Sequence, residues 1–113
     1  MISLERSSRT HDLVLESGTF GVTFLNSQQQ AISERFAGRD TEHTDRFAGL
    51  ETITLLSGVP LLVGGLAQLD CRVVNWQEEG TNTLFIGEVL AAQAGEAGEP
   101  LLYFDRQYRQ LQD

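Results

Sequence analysis

The sequence predicts a mainly β fold, a barrel-like sheet with two short helices between its early strands. Three observations carry that prediction. The stretch Leu66–Leu90 holds two apolar runs rich in β-branched residues on either side of a polar, Gly-containing turn at Gln77–Asn82, the pattern of a long β-hairpin. The second run, Thr83–Leu90, carries apolar side chains at both parities, with Leu84, Ile86 and Leu90 on one face and Phe85 and Val89 on the other. A strand solvated on one side alternates more cleanly, so both faces are expected to be covered, as in a closed barrel packed outside on a helix or a second subunit. The first run alternates through Leu69, Cys71 and Val73 and then changes phase at Val74 and Trp76, which predicts a bulge of the kind that bends barrel strands.

The other elements follow in chain order. Met1–Leu4 is the end of a strand. Ser7, Ser8 and Thr10 precede a short helical pattern, His11–Ser17, closed by Gly18 where a left-handed residue ends a helix. Alternation of Phe20, Val22 and Phe24 makes Thr19–Leu25 a strand. Ser27 and Gln30 form a capping box for a helix over Gln28–Ala37, with Ile32 and Phe36 as an i,i+4 apolar pair and Gly38 as the stop. A polar loop over 39–45 follows. The tetrapeptide RFAG occurs twice, at Arg35–Gly38 and Arg46–Gly49, too close for a structural repeat, so each reads as a helix or turn ending. Glu51–Leu56 reads as a strand, Ser57–Gly65 as a turn-rich connection, and Leu101–Phe104 as a last strand before a polar tail containing Tyr108.

Composition bounds the function. At 113 residues the chain reads as one domain, able to bury about two-thirds of its unfolded surface. A single Cys allows no internal disulfide, no basic-plus-apolar leader is expected before the polar stretch Glu5–Asp12, and the apolar runs are too short for a transmembrane helix. The expectation is a reduced, cytoplasmic protein with no membrane partner. Net charge is −8, with eight Arg, no Lys and acids spread along the chain, which argues against nucleic-acid binding through a basic face.

Catalytic signatures are scarce: no nucleophile elbow, P-loop, paired-Cys metal motif or dinucleotide glycine fingerprint occurs. His11 and His43 have no second ligand at metal spacing and read as solvated surface residues, and no metal is expected. Cys71, on an apolar strand face, reads as a small core residue, and Glu78 and Glu79 as a solvated turn. One cluster has a chemical reading. Arg6-Ser7-Ser8-Arg9-Thr10 joins a strand end to a helix start, where free N–H groups, hydroxyls and guanidinium groups can hold a phosphate. On residues alone, an ordinary helix cap with surface arginines fits as well.

Several segments, in order and nearly end to end, resemble the flavin reductase-like family, whose domain is an FMN-binding split β-barrel. They are RSSRTH at Arg6–His11, ESGTFGVTFL at Glu16–Leu25, RFAG and DRFAG across Arg35–Gly49, GVPLLVGGLAQLDCRVV at Gly58–Val74, TLFIGEV at Thr83–Val89 and PLLYFDRQY at Pro100–Tyr108. The resemblance implies a homodimer that binds FMN (or FAD) and reduces it with NAD(P)H, often to supply a flavin-dependent monooxygenase. It implies that Ser7, Ser8, Arg9 and Thr10 contact the flavin phosphate. Where the family often has a His near the nicotinamide and flavin, this chain has Asn82; Thr23 stands where an Asn is common; Tyr103 and Tyr108 match aromatic positions of the closing strand. Against the family pattern the chain reads as a partial domain, N-terminally shortened, with no match to the two opening strands or to the Thr-Ala-Asn-Ser-like motif lining the flavin ring. Two functions follow: an NAD(P)H-dependent flavin reductase, or a non-catalytic flavin-binding or dimerisation module on the same scaffold.

Overall fold

The computed structural model describes residues 1–37 and 46–111. Its elements run β1 (Ile2–Glu5), α1 (Arg9–Ser17), β2 (Thr19–Phe24), α2 (Gln30–Phe36), β3 (Thr52–Ile53), β4 (Leu61–Leu62), β5 (Ala67–Glu79), β6 (Asn82–Ala94), β7 (Leu102–Phe104) and β8 (Gln107–Arg109). The fold is mainly β with two helices, as the alternation predicts, and its principal sheet has the order β1-β6-β5-β2. The chain divides into two compact units, residues 1–22, 54–61 and 69–92 in the first and residues 23–53, 62–68 and 93–113 in the second.

The hairpin β5–β6 is longer and its turn tighter than the polar run suggests. Gly80 and Thr81 alone form the turn, with Gly80 at φ 59°, the left-handed conformation that a two-residue hairpin reserves for glycine at its first position. Polar Gln77 and Glu78 therefore sit in strand, because cross-strand pairing outweighs their weak preference.

In the first unit, β1 pairs antiparallel with β6 in the register Ile2↔Phe85, Leu4↔Thr83 and Glu5↔Asn82. Val14, Phe20, Cys71 and Phe85 form the core, with Ile2, Leu4, Val22, Leu69 and Val73 packed around them. Cys71 is thus the core residue its strand face predicts; burial, with the Asp70 charge beside it, pushes its thiol pKa up. On the opposite face Ile86 is 45 % exposed, so among the described residues that face stays open to the second subunit the sequence allows for. Val74 and Trp76 are each 54 % exposed, and the Arg72–Glu88 ion pair at 2.6 Å places them by alternation on the Ile86 face. The change of phase in the first run thus marks apolar residues facing outward. Asp70, 0 % exposed, ties the loop after β3 to β5 by accepting from Leu56 N–H (2.9 Å), Ser57 N–H (2.8 Å) and the Ser57 hydroxyl (2.6 Å). Burial raises its pKa, and those three bonds outweigh that and hold the carboxyl below its ordinary range.

In the second unit, α2 lacks the expected capping box. Asn26 does that work: its Oδ1 accepts from Gln28 N–H at 3.0 Å, and its own N–H donates to Gln29 Oε1 at 2.8 Å, while the N-cap Gln29 makes no side-chain cap bond. Gly38, the 39–45 loop and His43 lie outside the described residues. The second RFAG is a turn with Gly49 at φ 73°, and Arg35 Nη1 donates to Ala48 O at 2.8 Å. The strand expected over Glu51–Leu56 shrinks to the two residues of β3, and the Leu56 and Ser57 N–H groups donate to the Asp70 carboxylate instead of to a strand partner. The tail expected after Phe104 is instead strand β8, paired with β7 through Tyr103↔Tyr108. Those rings sit 5.0 Å apart, and Tyr108 Oη donates to Ser33 Oγ at 3.0 Å, a packing role for both tyrosines.

Candidate functional site

The residues singled out at the start of α1 fold as a strand-to-helix junction. Ser8 is extended (φ −85°, ψ 150°) and caps α1, its Oγ accepting the His11 N–H at 3.2 Å and donating to Glu5 O at 2.8 Å. Both capacities of that hydroxyl are therefore used inside the loop. At the other end Gly18, φ 71°, returns its N–H to Val14 O at 2.9 Å, the left-handed closure expected there.

What remains open at this junction is the rest of the first turn. Among the described residues the Arg9 and Thr10 N–H groups have no partner, the Arg9 guanidinium has no ion pair, and Ser7, Arg9 and Thr10 are exposed. Two free helix-start donors, two free hydroxyls and one free cation suit an anion such as a phosphate monoester. Arg6 is differently placed, since Glu78 holds it at 3.1 Å.

Asn82 lies against this junction although 72 residues separate it from Thr10 in sequence. It opens β6 opposite Glu5, and the next loop residue, Arg6, donates its N–H to Thr81 O at 2.9 Å. Its Nδ2 donates to Ser3 Oγ at 2.8 Å and its Oδ1 accepts from Thr81 Oγ1 at 3.1 Å. A neutral amide carries no titratable proton.

His11 is the residue that sequence reasoning misplaced. It is 7 % exposed rather than solvated, with Nε2 2.8 Å from Thr83 Oγ1, Nδ1 3.0 Å from Asp12 Oδ1, and its ring 5.5 Å from that of Phe85. Thr83, 1 % exposed, must spend its hydroxyl internally. The protonation that satisfies every group places the imidazole hydrogen on Nδ1, donating to Asp12, with Thr83 donating to Nε2. No local signal announces a partner 72 residues away. A hint existed in the spacing of His11 and Val14, the buried stripe of α1, while Leu13 and Leu15 face outward at 52 % and 47 % exposure.

Elsewhere in the second unit a cavity of about 300 Å³ is lined by Ile53, Val63, Gly64, Gly65, Gln68 and Glu96 among others, and Gln68 Oε1 is a buried acceptor without a partner. It includes none of the predicted site residues. Among the described residues no cluster of His, Cys, Asp or Glu could hold a metal, and no helix is long and apolar enough to cross a membrane.

Comparison with known proteins matches residues 1–112 to the family model described as flavin reductase like domain. The chain is 34 % identical over 111 residues to FMN reductase (NADH) RutF 2 of Methylorubrum extorquens, covering 98 % of this chain but only 64 % of that relative. The flavin reductase PheA2 superposes with a TM-score of 0.89 at 32 % identity, over 99 % of this chain and 69 % of that one. The styrene monooxygenase flavin reductase of Pseudomonas putida S12 gives a TM-score of 0.82 at 32 % identity, over 98 % and 68 %. The chain thus spans less than two-thirds of the length of that curated relative. With a family match over nearly every residue and a fold shared with solved members, this chain belongs to the flavin reductase-like domain family.

Proposed function

We propose that this chain, read as a single domain, is the flavin-binding portion of an NAD(P)H-dependent flavin reductase, with FMN (or FAD) as the flavin. The observation that carries the reading is the open first turn of α1, with Arg9 unpaired among the described residues, set beside the strand start that bears Asn82. The relatives' names support FMN and NADH. When bound, flavin supplies the redox chemistry, accepting a hydride from the nicotinamide. The protein's residues supply binding and orientation. Arg9, the Arg9 and Thr10 N–H groups, and the Ser7 and Thr10 hydroxyls hold the phosphate, while Ser8 shapes the loop. Asn82 orients the reacting rings without exchanging a proton.

The outward apolar residues Val74, Trp76 and Ile86 support a homodimer through this sheet face. A neighbour that is the flavin reductase of styrene monooxygenase supports a flavin-dependent monooxygenase as the consumer of reduced flavin. The acidic charge and the single buried thiol support a cytoplasmic location. One observation favours a second reading, a non-catalytic flavin-binding or dimerisation module: both polar ends of the Asn82 amide are already bonded within the protein.

The test is NADH and NADPH oxidation with FMN, FAD and riboflavin, alongside binding of each flavin to Arg9→Ala. Turnover with FMN, and a loss of about 10-fold or more in FMN affinity with riboflavin unchanged, is expected from removal of one charge-assisted phosphate contact. Tight flavin binding without turnover selects the non-catalytic module, and equal losses for FMN and riboflavin reject the phosphate assignment.

A further inference from the structure

The junction of β1 with the first turn of α1 is fastened at two points around the start of β6. Arg6 N–H bonds Thr81 O at 2.9 Å, and His11 Nε2 bonds Thr83 Oγ1 at 2.8 Å. The two anchors, Thr81 in the hairpin turn and Thr83 in β6, are two residues apart and flank Asn82, so the segment Ser7–Thr10 is bracketed against the residue that opens that strand. The first is a solvent-side backbone bond; the second is buried, with His11 7 % and Thr83 1 % exposed. Buried bonds of this kind fix geometry because neither partner can turn to water. His11 does two more things at the same place. Its N–H takes the Ser8 cap, which orients the first turn while leaving the Arg9 and Thr10 N–H groups open. Its Nδ1 engages the Asp12 carboxylate, the one acid in the first turn of α1, whose charge opposes an anion there.

We propose that His11 is a positioning residue which, through Thr83, holds the anion-binding first turn of α1 at a set distance from Asn82. It touches neither flavin nor nicotinamide. The proposal rests on the phosphate reading above and adds a residue outside the loop that binds the phosphate. A preorganised turn binds without paying to order itself, so loosening it weakens the phosphate contact specifically.

The experiment measures dissociation constants for FMN and riboflavin with His11→Ala, His11→Gln, Thr83→Val and the Thr83→Val/His11→Ala double variant, with Arg9→Ala as reference and far-UV circular dichroism to verify folding. His11→Ala and Thr83→Val are each expected to cut the preference for FMN over riboflavin about 10-fold, the scale of one buried hydrogen bond. The double variant should lose no more than either single one, because both remove the same bond. His11→Gln, whose amide reaches the Nε2 position, should recover most of the preference and keeps the test meaningful if His11→Ala folds poorly. Folded variants that weaken both flavins equally, or keep the full FMN preference, overturn the positioning role while Arg9→Ala still discriminates. If Arg9→Ala also leaves the preference intact, the phosphate reading has failed and this proposal with it.

Discussion

Asp70→Asn tests how the loop Thr54–Leu61 is held to the sheet. The buried carboxylate accepts three bonds, from Leu56 N–H, Ser57 N–H and the Ser57 hydroxyl. Asparagine keeps the shape: its oxygen can take the place of Oδ2 under the two N–H groups, and its NH2 can donate to the Ser57 hydroxyl, which reverses roles. Only the charge is lost. Bonds to a charged acceptor contribute roughly 1 kcal/mol more than neutral ones, and relief of the carboxylate's desolvation offsets part of the difference, leaving a cost of about 2 kcal/mol at pH 7. For a domain of this size that lowers Tm by about 8 °C. The pH dependence has a definite sign. Because the folded carboxyl sits below its ordinary range, its stabilisation is complete above the unfolded value, about 3.9, and is lost as pH falls from there through the lower folded value. The gap between native protein and Asp70→Asn in urea unfolding should be full at pH 5 to 7 and close on acidification below about 4. A gap under about 0.5 kcal/mol at pH 7, or one that widens in acid, would refute the reasoning.

Three further outcomes follow. Phe85→Ala, which empties the side chain at the centre of Val14, Phe20 and Cys71, should cost about 3 to 5 kcal/mol in the same unfolding assay. Gly87→Ala places a Cβ 2.5 Å from Phe20 Cζ and 3.2 Å from Cys71 Cβ, so about 1 to 3 kcal/mol should be lost to overpacking, whereas Gly58→Ala meets no atom and differs only through its φ of 88°. Trp76→Glu on the outward face should leave monomer stability within about 0.5 kcal/mol and convert a dimer to monomer by light scattering; a monomeric native chain would remove the basis for that face as an interface.

What was legible in the sequence was local. Alternation found β2 and the first part of β5 because a half-buried strand writes its face into successive residues, and apolar, β-branched content found β1 and β6. Gly18 showed where α1 closes, and Ser7, Ser8 and Thr10 marked the region of its start, since capping uses neighbours only a few residues away; which of them is the cap, Ser8, came from the structure. What escaped depended on distant partners. Two-residue β4 is too short to carry a period, the short extent of β3 within the strand expected over Glu51–Leu56 was not written locally, and the seat of α2 is decided by Asn26 and Gln29 rather than by the hydroxyl that resembled a cap. β8 looked like a polar tail because its pairing with β7 uses backbone bonds, and its turn places Asp105 and Arg106 at φ 53° and 62° without the glycine that usually marks such a turn. The candidate site divides the same way. Ser7–Thr10 stood out as a hydroxyl and guanidinium cluster at a helix start, but its closeness to Asn82, and the burial of His11 beneath it, exist only through the β1–β6 register.

The most direct test of the account is a titration of the purified chain with FMN and with riboflavin, followed by flavin fluorescence, with oligomeric state read by light scattering on the same sample. Saturable binding that favours FMN over riboflavin by about 10-fold or more, lost in Arg9→Ala, is the predicted result. No saturable FMN binding by the folded chain, or binding indifferent to the phosphate, would contradict the central claim that the first turn of α1 is a flavin phosphate site.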